Sequence, residues 1–278
     1  MKGFAGKTPA AVAISHVERF ALGSPLPRSA RVNLHFHPDM PVGTRTTLEA
    51  IAAEGVYRSQ FETGTGNGGL TAYPGGDRWR WESRIFGGAY DDSAPAHRPK
   101  YGSLNYRADP YGSSPRFGSS YFVVNEATLR RTTFCYPDSF FEPVSFGTAR
   151  AMDLIRLARE SVVDDPLDAY IEAHVHGPVD IATDVEALVL DRSYRGTPIE
   201  DAAADLACPV RWHPGFVVDM DKVAQHSGYR GEYIVEVARA VADRDVLNAR
   251  ILGVARGAGF EPGELKKVWH YLARYGRG

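Results

Sequence analysis

Two cysteines, Cys135 and Cys208, are all the thiol in this 278-residue chain, and no CxxC spacing joins them. A disulfide framework and a cysteine-built structural zinc site are therefore excluded, and each cysteine is read as a small buried hydrophobe. No apolar run comes near the roughly 18 residues that a membrane span needs, so no membrane partner is expected. The apolar stretch 8–14 is cut short by His16, Glu18 and Arg19, which leaves no secretory leader and points to the cytoplasm. An effector or toxin exported by a non-classical route would look the same. Excess charge is also lacking: 32 Lys+Arg stand against 34 Asp+Glu, a formal net charge of −2. Nucleic-acid binders usually carry a basic stripe, and the whole-chain composition shows none. No P-loop lysine, HExxH helix or GxSxG elbow occurs.

With 44% hydrophobic and 24% charged residues, the chain reads as globular rather than disordered or fibrous. Its pattern suggests three parts: an N-terminal helical arm over 1–30, an α+β body over 31–215, and a helical region over 216–278 packed on that body. Strands are expected at 31–37, 117–124, 170–176, 185–190 and 210–213, from alternation and β-branched content. Thr46 and Glu49 form a capping box for a helix ending near Gly55. Apolar spacing predicts further helices over 147–162 and 197–207. Residues 59–120 hold eleven of the 28 glycines, with ten aromatics from Phe61 to Phe117. Disordered linkers are poor in aromatics, so this stretch reads as ordered, irregular backbone that lines a cleft.

Gly64-Thr-Gly66-Asn-Gly68-Gly69 fits GxGxxG, but a dinucleotide fold needs that motif to enter a helix. Residues 70–76, with Pro74-Gly75-Gly76, cannot supply one. Two strands carry titratable groups at a period of two: His35-x-His37-x-Asp39 and Glu172-x-His174-x-His176. One reading is a metal-dependent hydrolase using His35, His37, His174 and His176, since imidazole with carboxylate suits zinc, iron or manganese. A second is cleavage of a ribose–base bond, where one carboxylate steadies an oxocarbenium-like transition state and an aromatic ring stacks the leaving base. Glu172 with His37, Tyr101 and residues 59–63 supplies such a set, and Glu186 is the rival glutamate. A third is a non-catalytic nucleotide-binding module. Arg58, Arg98 and Arg116 lie in loop segments where a phosphate could be paired bidentately.

Five stretches carry a family resemblance: 34–39 (LHFHPD), 57–64 (YRSQFETG), 98–105 (RPKYGSLN), 115–119 (PRFGS) and 171–177 (IEAHVHG). They resemble an uncharacterised, mainly bacterial family catalogued as domain of unknown function 3626, which carries no activity with its name. More distantly, the order of elements resembles the ADP-ribosyltransferase fold: an early strand ending in His, a Ser/Thr-bearing segment, an aromatic segment and a late strand opening with Glu. That resemblance implies an α+β fold with a split mixed sheet, flanking helices and a C-terminal helical region. It implies NAD as substrate and Glu172 as the catalytic glutamate, with His37, Arg58, Ser59, Thr63, Tyr101 and Arg116 binding NAD. It implies no metal, and an acceptor that is a protein, a nucleic acid or water. The Ser-Thr-Ser triplet of that fold is replaced here by Ser59-Gln-Phe-Glu-Thr63, and Tyr170 stands two residues before Glu172.

Overall fold

The computed structural model describes residues 6–64 and 70–278; beyond Gly64, the GxGxxG segment lies outside the described residues. Twelve strands are described: β1 (Arg31–Phe36), β2 (Pro41–Val42), β3 (Arg45–Thr46), β4 (Lys100–Asn105), β5 (Ser120–Val124), β6 (Thr132–Tyr136), β7 (Ser145–Thr148), β8 (Glu172–Val175), β9 (Val185–Asp191), β10 (Val210–His213), β11 (Val217–Asp219) and β12 (Val246–Asn248). Eight form one large mixed sheet in the order β10-β9-β5-β1-β4-β8-β6-β7. Every pair in it is antiparallel except β9–β10, whose crossover carries the helix Pro198–Ala204. The fold is thus mixed α+β. Pairing runs unbroken where the sequence suggested a sheet in two halves, because β4 joins β1 to β8.

One sheet face is apolar. Val32, Leu34, Leu104, Phe122, Phe134, Ala173 and Leu188 alternate onto it and join Leu48 and Ile51 of the helix Thr47–Glu54 in the main core. That helix starts as expected, with the Thr46–Glu49 capping box complete and Gly55 left-handed at its end. The same core continues into the C-terminal helices through Ile234, Leu265, Val268 and Leu272. Polar ties join the two regions: Arg256 pairs with Asp39 at 2.7 Å, and Trp269 Nε1 donates to the Pro115 carbonyl at 2.8 Å.

The other face is polar, and the register shows it in rows. Asn33 lies opposite Ser103, Ser103 opposite Glu172, and Glu172 opposite Cys135. The next row sets Tyr101, His174 and Thr133 side by side. Over the β8–β6 part lies the helix Asp77–Phe86, whose buried stripe is Arg78, Glu82, Ile85 and Phe86. A second small core of Ala13, Val17, Ile85, Phe86 and Tyr90 holds it against the helix Pro9–Glu18. The described residues of the stretch 59–120 are therefore more regular than its glycines suggest, containing this helix and β4. The expected helix over 147–162 begins only at Leu154, because Gly147 and Thr148 are drawn into β7 against β6. The expected strand over 117–124 starts at Ser120, after a short 3-10 turn Pro115–Phe117.

Candidate functional site

Glu172 opens β8 and is 6% exposed. Its Oε1 faces His174 Nε2 at 2.9 Å and Cys135 Sγ at 3.7 Å, and its Oε2 accepts from Ser139 Oγ at 3.1 Å. Ser139 Oγ in turn accepts from Arg78 at 3.0 Å. Burial works against ionisation of Glu172, yet His174, Arg78 and Ser139 together hold its carboxyl below the usual range. It is a charged carboxylate at neutral pH. Cys135, beside it, is a thiol, because burial and the Glu172 charge push its ionisation far up.

The layer above is an ion network. Arg98 and Glu82, 3% and 0% exposed, pair at 2.6 Å. The Tyr101 hydroxyl donates to the other Glu82 oxygen at 3.0 Å. Burial pushes Glu82 up to about 7, against the opposing pull of Arg98, Tyr101 and Arg78. The Arg78 guanidinium lies 4.1 Å over the Tyr101 ring and 4.9 Å from that of Trp81. Below, His174 Nδ1 meets Thr133 Oγ1 at 3.2 Å, Thr133 meets His176 Nε2 at 2.9 Å, and His176 Nδ1 meets the Tyr90 hydroxyl at 2.7 Å. Tyr170 donates to Asp138, the residue before Ser139.

Toward β1 the polar face continues through hydroxyls. Ser103 Oγ contacts Ser113 Oγ at 2.5 Å and Ser114 Oγ at 2.7 Å. His35 Nε2 accepts from the Ser114 amide at 3.3 Å, so its Nδ1 carries the proton and donates to the Gly118 carbonyl at 3.2 Å. Burial holds that imidazole neutral, down to about 3. The close approach at Gly112 requires glycine: φ is +82°, and a Cβ would lie 2.3 Å from His35 Nε2. A cavity of about 300 Å³ opens where β4 ends, lined in part by Tyr106, Arg107, Ser113, Tyr170, Arg274 and Arg277.

Of the residues singled out from sequence, the fold brings Glu172, Tyr101, His174 and His176 to one face. His35 shares that face on β1, and Arg98 joins it through its pair with Glu82; His37, Arg58, Arg116, Ser59, Thr63 and Glu186 lie elsewhere. His37 leaves the strand and meets Trp269 edge-on at 4.8 Å, with Nδ1 buried and unpartnered. Arg58 sits at the surface on Glu54, and Arg116 pairs with Asp168. Ser59 caps the short helix Gln60–Thr63 and donates to the Pro95 carbonyl at 2.8 Å; Thr63 hydroxyl donates back to the Ser59 carbonyl. Glu186 is held in half-exposed pairs with Arg31 and Arg211, so it is a surface ion-pair residue. The four histidines 35, 37, 174 and 176 do not converge. Among the described residues, Cys135, Glu172 and His174 alone group three metal-ligand atoms within 4.8 Å of one another.

Sequence reading missed Arg78, Glu82, Ser103, Cys135 and Ser139. Alternation in Tyr101-Gly-Ser103-Leu-Asn105 and Thr133-Phe-Cys135 carries a signal for two of them; the helix residues look like an exposed face. No curated protein matches the chain. A family model covers residues 31–161 and 156–258, most of its length. The chain belongs to the family described as Protein of unknown function (DUF3626).

Proposed function

We propose that the protein cleaves the nicotinamide–ribose bond of NAD and passes ADP-ribose to a macromolecular acceptor or to water. The observation that carries this reading is the buried Glu172, set in one row with Ser103 and beside Tyr101 on adjacent strands. A fixed carboxylate facing a ribose hydroxyl stabilises the positive charge that grows on the sugar as nicotinamide leaves. Tyr101 supplies a ring face for that leaving base. On β1 the residue sharing the face is His35 rather than His37; neutral and pinned through both ring nitrogens, it supports the Ser114 backbone. The arginine-rimmed cavity beside Ser113 and Tyr170 suits the diphosphate end of the substrate. The face keeps the residue types of the ADP-ribosyltransferase resemblance, an early histidine, a hydroxyl residue and a late glutamate, but with His35 and Ser103 in place of the His37, Ser59 and Thr63 that the resemblance named, beside an unchanged Glu172. Arg78 occupies the place over Tyr101 that a stacked nicotinamide takes, so turnover requires the helix Asp77–Phe86 to yield there.

The test is nicotinamide release from NAD by purified protein, beside Glu172→Gln and a chelator control. The expected result is release that survives the chelator and falls about 10²–10³-fold or more in the variant, as for loss of a charge-stabilising group. Unchanged release by Glu172→Gln, or none by the wild type with any acceptor fraction added, sinks the proposal.

A further inference from the structure

We propose that Cys135 Sγ, Glu172 Oε1 and His174 Nε2 form a binding site for a zinc-class divalent ion. The inference stands without the NAD reading. The three atoms are separated by 3.7 Å (sulfur to carboxylate), 3.8 Å (sulfur to imidazole) and 2.9 Å (imidazole to carboxylate). A tetrahedral ion with sulfur at about 2.3 Å and nitrogen or oxygen at about 2.0–2.1 Å sets its donors roughly 3.3–3.6 Å apart. Both sulfur distances already lie within a few tenths of an ångström of that. The short one is a hydrogen bond that the ion replaces.

The donor types narrow the ion. Thiolate and imidazole favour zinc and its transition-metal neighbours, whereas calcium and magnesium take oxygen alone. All three residues sit on the paired strands β6 and β8, where Cys135 lies opposite Glu172, so the backbone fixes their spacing.

The surroundings are those of ligands with outer support. Metal-bound histidines donate their other ring N–H to an acceptor. His174 Nδ1 has one in Thr133 Oγ1, whose own hydroxyl donates a hydrogen bond to His176 Nε2, while His176 Nδ1 meets Tyr90. Glu172 Oε2 is fixed by Ser139, itself held by Arg78. On binding, the Cys135 thiol proton leaves to solvent and His174 moves its proton from Nε2 to Nδ1; no redox change is involved. Thiolate and carboxylate then balance the two charges of the ion. Three protein donors leave one position of a four-coordinate ion for water. Where the NAD reading also holds, the ion and the substrate compete for Glu172, and zinc is an inhibitor.

The experiment is a titration of the full-length protein with cobalt(II), followed by zinc. The expected result is a near-ultraviolet thiolate-to-cobalt band that saturates at one equivalent and is bleached by zinc. That band is absent in Cys135→Ser and intact in Cys208→Ser, both checked for folding by circular dichroism. Thr133→Val keeps the band while weakening zinc binding by roughly 10–100-fold, the usual cost of losing an outer-shell partner. No band in the folded wild type, a band retained by Cys135→Ser, or one lost in Cys208→Ser overturns the inference. None of these readouts involves NAD, so the two proposals fail separately.

Discussion

Gly253 lies in the helix Ala249–Gly257, and a Cβ built on it falls 1.7 Å from Asp39 Oδ2 and 2.6 Å from Asp39 Cγ. Gly257, at the end of the same helix, has nothing within 4 Å of such a Cβ. Replacing glycine by alanine in a helix interior gains about 1 kcal/mol, and Gly257→Ala realises up to that gain. Gly253→Ala gains it too, but must push Asp39 aside. That carboxylate accepts from the Tyr194 hydroxyl at 2.9 Å and from Arg256 at 2.7 Å, and it cannot turn away while keeping both. Hydrogen bonds to charged groups contribute about 1.5–3 kcal/mol each, so losing both outweighs the helix gain by about 2–5 kcal/mol. Urea unfolding at neutral pH checks the order: Gly257→Ala at or above wild type, Gly253→Ala well below it. In an Asp39→Ala background the added methyl has room, and Gly253→Ala becomes neutral or stabilising. A Gly253→Ala midpoint at or above that of the wild type refutes the argument, and with it the tight docking of this helix on the end of β1.

Two further predictions rest on buried charge. Arg98→Met strips Glu82 of its cation and destabilises the fold by about 3–5 kcal/mol at pH 8. Burial already lifts Glu82 to about 7, and without Arg98 it rises further, so the deficit grows with pH. Below the ordinary glutamate range of about 4.3 the carboxyl is protonated in both states, and only lost packing remains. Denaturant titrations at pH 4 and 8 decide it; a deficit independent of pH refutes the charge argument. His270 has both ring nitrogens buried without partners and is pushed down to about 3, by burial and then by Arg116, Arg230 and Lys266, with Asp165 opposing. Its folded form requires a neutral ring. The stability it allows is therefore complete above about pH 6.5 and is lost as pH falls toward 3. From pH 6.5 to 5 that amounts to about 2 kcal/mol, and His270→Phe removes this slope. Unfolding free energies at pH 7.5 and 5 that drop equally in both proteins count against it.

The parts of this protein legible in the sequence are those decided by neighbours a few residues apart. The capping box of Thr46 and Glu49, the left-handed stop at Gly55, and the alternation in β1 and β8 are all local hydrogen bonding or period-two geometry. Glu172 and His174 share a face because they are two residues apart in a strand. What surrounds them needed the tertiary structure. β4 was hidden because Lys100 and Gly102 leave only Leu104 on the apolar side of its alternation, and its pairing with both β1 and β8 makes it a strand. The helix Asp77–Phe86 buries Arg78 and Glu82, which no amphipathic pattern distinguishes from a wet face; Arg98 and Tyr101 make that burial tolerable. Glu172 and Glu186 look alike in the chain, yet one is enclosed by Ser139, His174 and Cys135 and the other is paired at the surface. Cys135 stands 37 residues before Glu172 and meets it only through the β6–β8 register. Side-chain periodicity places a residue on a face. Which residues face it across a sheet depends on long-range pairing, to which that periodicity is blind.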